Sequence, residues 1–474
     1  MGRVIVVSNR VASFSSVKTN EGGLVTALKT ALEGKDAVWF GWSGITTEGE
    51  PGPTRSRRVG RLTRMVVDLS REQYERYYAG FANRMLWPLF HYRVGLADFH
   101  RDDYVSYCRV NDLFADRLAA IIGADDVVWI HDYHLIPLGE ALRRRGVSQP
   151  LGFFLHIPFP APEVLATLPV HDTLVRALFA YDLVGFQTDT NLLAFTDYLE
   201  REAGGGSQVG GVFTAYGRRI RGGVFPIGID PAAVAERAAR AAMGDRCRQL
   251  HASLAGRHLV IGVDRLDYTK GLIKRLEAVE RLLASNAGYR RRIVMLQIAP
   301  PTRSDVPEYQ QIRSELDACI GRINGRFGEP DLLPVRYLNR NFGQDTLFGF
   351  YRISTVGLVT PLRDGMNLVA KEFVASQDPN DPGVLILSRF AGAARELGAA
   401  LIVNPYDVDA VVQALDRALV MPIDERQERH QALLEAVRRW NVRRWRTDFL
   451  EALAAAARSN QSAPRAPLYS IGVG

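Results

Sequence analysis

The sequence has few cysteines and no long apolar run, and both absences narrow the class of protein. Its 474 residues include three cysteines, Cys108, Cys247 and Cys319, which lie far apart and have no histidine at a metal-ligand spacing. They predict neither a disulfide framework nor a zinc site, and we interpret them as buried free thiols in a reducing cytoplasm. The apolar run at residues 4–7 is too short for a secretion signal, and no run approaches the roughly 18 residues of a membrane span. We therefore expect a cytoplasmic protein without a membrane partner.

Lysine is also scarce, since six lysines accompany 53 arginines in a chain of net charge +7. The basic residues are scattered, apart from residues 143–145 and the segment VRRWNVRRWR at 437–446. The first cluster suits the C-terminus of a helix, and the second alternates arginine pairs with tryptophans as an amphipathic helix does. No nucleic-acid-binding motif accompanies either cluster, so the charge indicates small anionic substrates rather than a nucleic-acid partner.

Short apolar runs rich in Val, Ile and Phe recur along the chain, and amphipathic helical stretches separate many of them. This alternation predicts an α/β fold with parallel strands. The predicted strands lie at residues 4–7, 127–130, 151–155, 183–186, 259–263, 293–298, 356–359, 384–387 and 401–403. Polar residues follow nearly every run, and in open parallel sheets a ligand binds beyond the carboxyl ends of the strands. The expected site lining is Arg10, His131, Asp132, His156, Gln187, Asp264, Arg265, Arg303, Asp364 and Asn404.

A chain of this length is too long for one hydrophobic core, so we expect two domains. The turn-prone segment GGGSQVGG at 204–211 and the segment PIGID at 226–230 precede an alanine-rich helical stretch, which places the boundary near residue 228. We predict a first Rossmann-like domain over residues 1–228 and a second over residues 229–439, facing each other across a cleft. A helix over about 440–456 would pack back onto the first domain, and residues 457–474 would form a flexible tail.

The segment TPLRDGMNLVAKE at 360–372 carries the strongest functional signal of the chain. A predicted strand, a glycine turn and the start of a helix follow one another there, and such a junction holds anionic ligands. Asp364 and Gly365 turn the chain, which leaves the N–H groups of Met366, Asn367 and Leu368 available. The alternative is an ordinary turn in which Asp364 caps the helix.

Eight motifs together resemble those of the trehalose-6-phosphate synthases, in the same order over residues 3–407. They are VVSNR with Gly22 and Gly23, WFGWSG (39–44), YYAGFANRMLWPLFHYR (77–93), WIHDYHL (129–135), FFLHIPFP (153–160), DRLDYTKG (264–271), QIAPPTRSDV (297–306) and TPLRDGMNLVAKE. The resemblance implies the GT-B fold of two Rossmann-like doubly wound domains. It also implies transfer of glucose from UDP-glucose to glucose 6-phosphate, with retention of configuration, no cofactor and no metal.

The resemblance assigns the nucleotide-sugar donor to a set of positions in both halves of the chain. They are Gly22, Gly23, Arg265, Lys270, Phe342, Asp364, Gly365, Met366, Asn367, Leu368, Val369 and Glu372. Arg265 and Lys270 are five positions apart across a turn, so both side chains can reach one diphosphate. A surface salt bridge to Asp264 or Asp267 is the competing interpretation of these two cations. For Phe342 the competing interpretation is core packing.

The acceptor positions implied by the resemblance are Arg10, Tyr78, Trp87, Asp132 and Arg303. A phosphomonoester needs several cations and hydroxyl donors in one place, and a tryptophan offers an apolar face to a sugar ring. The catalytic set is expected to comprise Asp132, His156, Arg265 and Lys270. Considered alone, His156 after an apolar strand is more often a structural histidine.

The mechanism implied by the resemblance is front-face transfer, in which UDP leaves and a departing phosphate oxygen takes the acceptor's proton. His131 with His134, and Asp407 with Asp409, have no third ligand at a recognisable spacing, so we predict no metal. Asp407 is instead expected to cap a helix. A homo-oligomer, dimer or tetramer, is expected. The chain carries no D-x-D-G-T motif, so a separate phosphatase is expected to act on the product.

Several rival functions remain. An oxidoreductase is disfavoured because no G-x-G-x-x-G follows a strand, and a glycosidase because the predicted site is rich in cations. Two closer rivals are a related synthase that uses another phosphorylated acceptor, such as glycerol 3-phosphate, and a non-catalytic regulatory paralogue. The nucleotide preference among UDP, ADP and GDP is open.

Overall fold

The structure, a computed structural model, describes residues 2–11, 23–303 and 306–461. The chain divides into two compact units by its internal contacts. Unit 1 comprises Met1–Pro226 and Trp445–Gly474, and unit 2 comprises Ile227–Arg444. The first crossing between the units lies next to the boundary expected near residue 228.

Unit 1 is built on a ten-stranded sheet with the order β3-β4-β2-β1-β5-β6-β7-β10-β9-β8. The strands are β1 (Val4–Arg10), β2 (Ala37–Thr47), β3 (Arg55–Val59), β4 (Leu62–Ser70), β5 (Val127–His131), β6 (Leu151–Phe154), β7 (Leu183–Phe186), β8 (Gly206–Gln208), β9 (Val212–Ala215) and β10 (Arg218–Val224). Those from β4 to β10 in the sheet order are parallel, and antiparallel strands extend both ends. The central strands are buried apolar runs, as parallel strands covered on both faces are.

Helices flank this sheet. They are α1 (Gly23–Leu32), α2 (Arg71–Gln73), α3 (Trp87–Phe90), α4 (Arg101–Ala119), α5 (Leu138–Arg144), α6 (Pro162–Leu165), α7 (His171–Leu178) and α8 (Asp189–Glu202). A π-helical segment, Tyr74–Leu86, connects α2 to α3. Such segments are rare and often occur at functional sites. Ser70 starts this region with a capping box shared with Gln73, which satisfies N–H groups at the helix start.

Unit 2 contains a six-stranded sheet in which every pairing is parallel, with the order β13-β12-β11-β14-β15-β16. The strands are β11 (His258–Val263), β12 (Ile293–Ile298), β13 (Val335–Leu338), β14 (Val356–Val359), β15 (Val384–Ser388) and β16 (Leu401–Val403). Its helices are α9 (Pro231–Ala242), α10 (Asp245–Leu254), α11 (Leu272–Ser285), α12 (Ala287–Arg290), α13 (Pro307–Phe327), α14 (Gln344–Arg352), α15 (Leu368–Ser376), α16 (Val408–Val420) and α17 (Ile423–Arg439).

The basic segment at 437–446 spans the end of one helix and the start of another, because α17 ends at Arg439 and α18 (Val442–Gln461) follows. The Asn441 side chain accepts the N–H groups of Arg443 and Arg444, so it starts a new helix as an N-cap residue does. The expected tail from residue 457 also needs correction, because α18 continues to Gln461.

From Trp445 onward α18 belongs to unit 1, where its apolar face covers the sheet. Phe449 stacks on Trp129 of β5 at 4.9 Å between ring centroids. A Cβ on Gly152 of β6 would lie 2.8 Å from the Phe449 ring, so only glycine allows this close approach. The last helix thereby closes the core of the first sheet.

The scarce cysteines and the basic clusters occupy ordinary structural positions. Cys108, Cys247 and Cys319 are free thiols, the first half-buried and the other two buried. In the first cluster Arg143 forms a buried ion pair with Asp182 at 2.8 Å, with 6% and 1% of the two side chains exposed. Within the described residues, no helix is long and apolar enough to cross a membrane.

Candidate active site

The strongest candidate site in unit 2 is the loop between β14 and α15. Asn367 adopts φ 91°, and its side chain accepts the N–H of Ala370, so it caps the nine-residue α15. The cap is therefore Asn367 rather than Asp364. The loop also lies against residues 391–393, where a Cβ on Gly392 would come within 2.0 Å of the Gly365 carbonyl oxygen. Glycine is thus required at 392 for the loop to hold this path.

Backbone donors at the start of α15 make this loop suited to binding an anion. Within the described residues, no hydrogen bond engages the N–H of Met366, Asn367 or Leu368. Such orphan donors carry the positive end of the helix dipole. Val369 continues the same first turn. The arrangement suits a diphosphate or a sugar hydroxyl.

Lys270 joins this loop across 94 residues of sequence. Its ammonium group donates to the Asp364 carboxylate at 2.5 Å, and the two side chains are only 10% and 16% exposed. Lys270 therefore pairs with Asp364 and is not part of a surface salt bridge to Asp264 or Asp267. Asn367 also donates to the same Asp364 oxygen at 3.1 Å. Asp364 thus fixes both a cation and the cap of α15.

The DRLDYTKG segment also carries two buried carboxylates near Lys270, those of Asp264 and Asp267. Asp264 pairs with the fully buried Arg275 at 2.7 Å. Burial alone would raise the pKa of Asp267. The nearby cations Arg303, Arg265 and Lys270 outweigh burial, so the pKa of this carboxylate lies below its ordinary value. Arg265 is exposed. The structure therefore gathers Arg265 and Lys270 around one buried carboxylate.

Arg303 packs within unit 2 beside the same carboxylate. Its guanidinium donates to the Tyr309 hydroxyl and lies 3.7 Å from Asp267, and 5% of its side chain is exposed. Tyr309 and Asp267 orient a cation that sequence reasoning assigned to the acceptor phosphate. Neither partner could be found from the sequence, because their pairing depends on how α13 packs on the turn before α11.

Glu372 presents a carboxylate one turn into α15. Burial raises the pKa of Glu372 to about 7, and Arg237 opposes this shift. Within the described residues, no hydrogen bond engages its carboxylate oxygens. A carboxylate with free acceptor capacity is suited to vicinal hydroxyl groups.

The neighbouring Lys371 is a residue that sequence reasoning missed. Its side chain is fully buried, and its ammonium group donates to both oxygens of Glu396 at 3.0 and 2.9 Å and to the Ile227 carbonyl at 2.7 Å. This ion pair anchors α15 inside unit 2.

Phe342 is 7% exposed and packs on Phe350 at 5.8 Å, with Arg340 over its ring at 4.9 Å.

In unit 1 two of the candidate acceptor residues, Arg10 and Tyr78, meet at the ring of Trp42. Arg10, exposed at the end of β1, lies 5.7 Å over the Trp42 ring. Tyr78 of the π-helical segment packs against Trp42 at 5.6 Å and stacks on His134 at 5.8 Å with an interplanar angle of 11°. Trp42 and His134 therefore support the two residues that the sequence predicts. Trp87, which is 5% exposed, connects to these rings through Tyr133, whose ring lies 5.8 Å from Trp87 and 3.9 Å from His134.

Asp132 and His156 come together at the carboxyl ends of β5 and β6. Asp132 adopts φ 77°, and its carboxylate accepts the backbone N–H of His156 at 3.2 Å. The His156 ring contacts His131 at 3.0 Å and Gln187 at 3.4 Å. Burial lowers the pKa of His156 to about 3. Burial also lowers the pKa of His131, with a smaller contribution from His156, so both rings are neutral at neutral pH.

The remaining predicted positions are the glycine pair before α1 and the helix cap at Asp407. Gly23 is exposed and begins α1, whereas Gly22 lies outside the described residues. The expected cap is confirmed at Asp407, which accepts the N–H of Ala410. Within residues 2–11, 23–303 and 306–461, no group of three His, Cys, Asp or Glu side chains could hold a metal ion.

This chain matches Glycosyltransferase family 20 over residues 3–455, and it belongs to that family. It is therefore an enzyme of the glycosyltransferase class. It is 49% identical to the trehalose-6-phosphate synthase of Sinorhizobium fredii, over 96% of this chain and 99% of that protein. It is 46% identical to the trehalose-6-phosphate synthase of Cronobacter sakazakii, over 98% of this chain and 97% of that protein.

Solved structures agree with this assignment. An α,α-trehalose-phosphate synthase (UDP-forming) from Burkholderia xenovorans in complex with glucose-6-phosphate has a TM-score of 0.94 and 48% identity, covering 96% of this chain and all of that one. The E. coli protein bound with UDP-2-fluoro glucose has a TM-score of 0.90 and 46% identity, covering 95% of this chain and 99% of that one. The predicted α/β fold of the GT-B type, with two parallel-sheet domains, is confirmed.

Proposed function

We propose that this enzyme transfers glucose from UDP-glucose to glucose 6-phosphate and forms α,α-trehalose 6-phosphate and UDP. The observation that carries the proposal is the loop before α15, where unengaged backbone donors and the Lys270–Asp364 pair form an anion site. The two relatives named as trehalose-6-phosphate synthases support the choice of substrates.

In the proposed reaction the bond between glucose C1 and the diphosphate oxygen breaks, and a bond from C1 to the acceptor hydroxyl oxygen forms. The departing phosphate oxygen takes the acceptor's proton. Arg265 and Lys270 stabilise the charge that grows on UDP, as preorganised cations do in a transition state. The configuration at C1 is retained because the acceptor approaches from the face that UDP leaves. A covalent glucosyl-enzyme on Asp or Glu would contradict this mechanism.

The donor roles are proposed for residues of unit 2, on the resemblance described above and with support from the loop before α15. The N–H groups from Met366 to Leu368 bind the diphosphate and the donor glucose, Glu372 accepts the ribose hydroxyls, and Phe342 contacts the base. In unit 1, Arg10 and Tyr78 bind the acceptor phosphate. Trp87 and Asp132 contact the acceptor sugar, and His156 contacts the transferred glucose. Arg303 of unit 2 is also proposed to contact the acceptor phosphate.

The experiment is an assay with and without EDTA, in which UDP-glucose is offered with glucose 6-phosphate or with glycerol 3-phosphate. Release of UDP and formation of trehalose 6-phosphate only from glucose 6-phosphate, unchanged by EDTA, would establish the substrates and the absence of a metal requirement. Turnover with glycerol 3-phosphate alone would identify the related synthase. No turnover with UDP-, ADP- or GDP-glucose would indicate a regulatory paralogue.

The wider setting is also a proposal. We propose that the enzyme acts in the cytoplasm as a homo-oligomer, dimer or tetramer, and that a separate phosphatase removes the product's phosphate. Light scattering coupled to size-exclusion chromatography measures the oligomeric state. A monomer at assay concentration would refute the proposed homo-oligomer.

A further inference from the structure

Two neutral histidine rings, His131 and His156, contact each other directly in unit 1. The His131 Nδ1 and His156 Nε2 atoms lie 3.0 Å apart. Because both rings are neutral, each carries a single N–H, and one of them must donate to the other. The direction of that hydrogen bond decides which His156 nitrogen holds a lone pair.

The Gln187 amide determines the direction of the hydrogen bond between His131 and His156. The Gln187 amide nitrogen lies 3.4 Å from His156 Nδ1. An amide nitrogen only donates, so Nδ1 of His156 is the acceptor and the N–H of that ring is on Nε2. His156 therefore donates from Nε2 to Nδ1 of His131.

The surroundings of His131 agree with this direction. His131 is fully buried, and its Nε2 atom has no hydrogen-bond partner within the described residues. Its ring neighbours include Trp129 at 4.5 Å and Trp445 at 5.9 Å between centroids. An N–H near aromatic rings is weakly stabilised, whereas a lone pair facing them is not. His131 therefore carries its own hydrogen on Nε2 and accepts at Nδ1.

We propose that His131 is a positioning residue, which accepts the Nε2–H of His156 and, together with the Gln187 amide, fixes the tautomer and orientation of the ring proposed to contact the donor sugar. The inference rests on the proposed function, because it concerns the same site. In the assigned tautomer, a sugar hydroxyl that reaches His156 has to donate to Nδ1 in place of Gln187. Trp445 of α18 supports this arrangement, because its ring packs near His131 and holds it in place.

The test compares His131→Phe, which keeps the ring volume without a nitrogen, with His131→Asn, whose amide oxygen can still accept. We expect kcat to fall about 10- to 100-fold in His131→Phe, because that is roughly the cost of leaving a buried donor without its hydrogen-bond acceptor. We expect His131→Asn to recover kcat to within about threefold of the unmodified enzyme, with the KM for glucose 6-phosphate unchanged in both variants. His171→Phe is the matched control, because His171 bonds Tyr198 in unit 1 at 2.6 Å, away from the site.

A readout that does not depend on activity separates this proposal from the proposed function. Long-range 1H–15N spectra of histidine-labelled protein, assigned with the His156→Gln variant, report the tautomer of His156 without substrate. We expect the Nε2–H form in the unmodified protein and in His131→Asn. In His131→Phe the new ring offers Nε2 no acceptor and the Gln187 amide can rotate to present its oxygen to Nδ1, so we expect a mixture of the two tautomers. An Nδ1–H form in the unmodified protein would overturn the proposal, as would an unchanged tautomer or an unchanged kcat in His131→Phe. The unmodified enzyme and all variants could fail to make trehalose 6-phosphate while the His156 tautomers match the expectation. In that case the proposed function fails and the positioning role of His131 stands.

Discussion

The candidate binding groups of the two units differ in their chemistry. In unit 2 these are backbone N–H groups and the ion pair of Lys270 with Asp364. In unit 1 they are aromatic rings and two neutral histidines, with Arg10 over Trp42 as the cation at their edge. Ionic groups suit a nucleotide diphosphate, and aromatic faces with neutral acceptors suit a sugar. The difference fits the proposed function, in which unit 2 binds the nucleotide donor and unit 1 binds the acceptor sugar.

The largest expected effect concerns the buried ion pair of unit 2. Lys371→Met leaves the Glu396 carboxylate buried without its cation, so the free energy of unfolding should fall by about 3–5 kcal/mol. Urea denaturation followed by circular dichroism measures it. The double variant Lys371→Met with Glu396→Leu should recover most of the loss, because no charge is then left unpaired. Equal losses in the single and double variants would show that the pair is not coupled.

The next effect tests whether the ionic groups of unit 2 act on the leaving group. Lys270→Ala should lower kcat by about 10²- to 10³-fold, since one preorganised donor to developing charge contributes that much. Steady-state kinetics with UDP-glucose and glucose 6-phosphate measure it. Lys274→Ala is the control, because Lys274 lies one turn further on in α11, is 43% exposed and pairs with Glu277. Similar losses in both variants would contradict the role of Lys270.

A smaller effect concerns the pH dependence of donor binding. Burial raises the pKa of Glu372 to about 7, and the ionised form is the one that accepts two hydroxyl groups. As the pH falls below 7, the carboxylate takes up a proton and the KM for UDP-glucose should rise, approaching about tenfold per pH unit. In Glu372→Gln this part of the pH profile should be flat. A pH profile shared by both proteins would assign the titration to another group.

The smallest effect tests the aromatic groups of unit 1. Trp42→Phe weakens the interaction between the ring and the Arg10 guanidinium, which is worth about 0.5–1 kcal/mol at exposed sites. The KM for glucose 6-phosphate should therefore rise about two- to fivefold at constant kcat. Trp440→Phe is the control, because Arg444 lies over Trp440 at 4.3 Å in unit 2. An unchanged KM in Trp42→Phe would show that Arg10 needs no aromatic support.

Much of the fold could be predicted from the sequence, because buried parallel strands are continuous apolar runs. All nine predicted strands are present. The strands that were missed include β3, whose five residues are all exposed and include three arginines. An exposed antiparallel edge strand has no apolar run to reveal it. Local pattern alone likewise could not show that Asn441 divides the basic C-terminal segment into two helices.

For the candidate site, the sequence predicts positions but not which side chains pair. The residues after strands, among them His131, Asp132 and Gln187, could be found because parallel strands end at one edge of the sheet. Which of them touch depends on the order of strands in the sheet, as for His131 on β5 and His156 after the neighbouring β6. The contact of Lys270 with Asp364 depends in the same way on the adjacency of β11 and β14.

The position of α18 has a consequence for how the protein is made. The first sheet begins with β1 at Val4, yet its core is closed by Trp445 and Phe449, near the other end of the described chain. Domains that fold during synthesis do so from the N-terminus as the chain emerges from the ribosome. Unit 2 contains all of its own strands between residues 227 and 444, so it can fold while unit 1 still lacks its closing helix. The unit that starts first is therefore the one that finishes last.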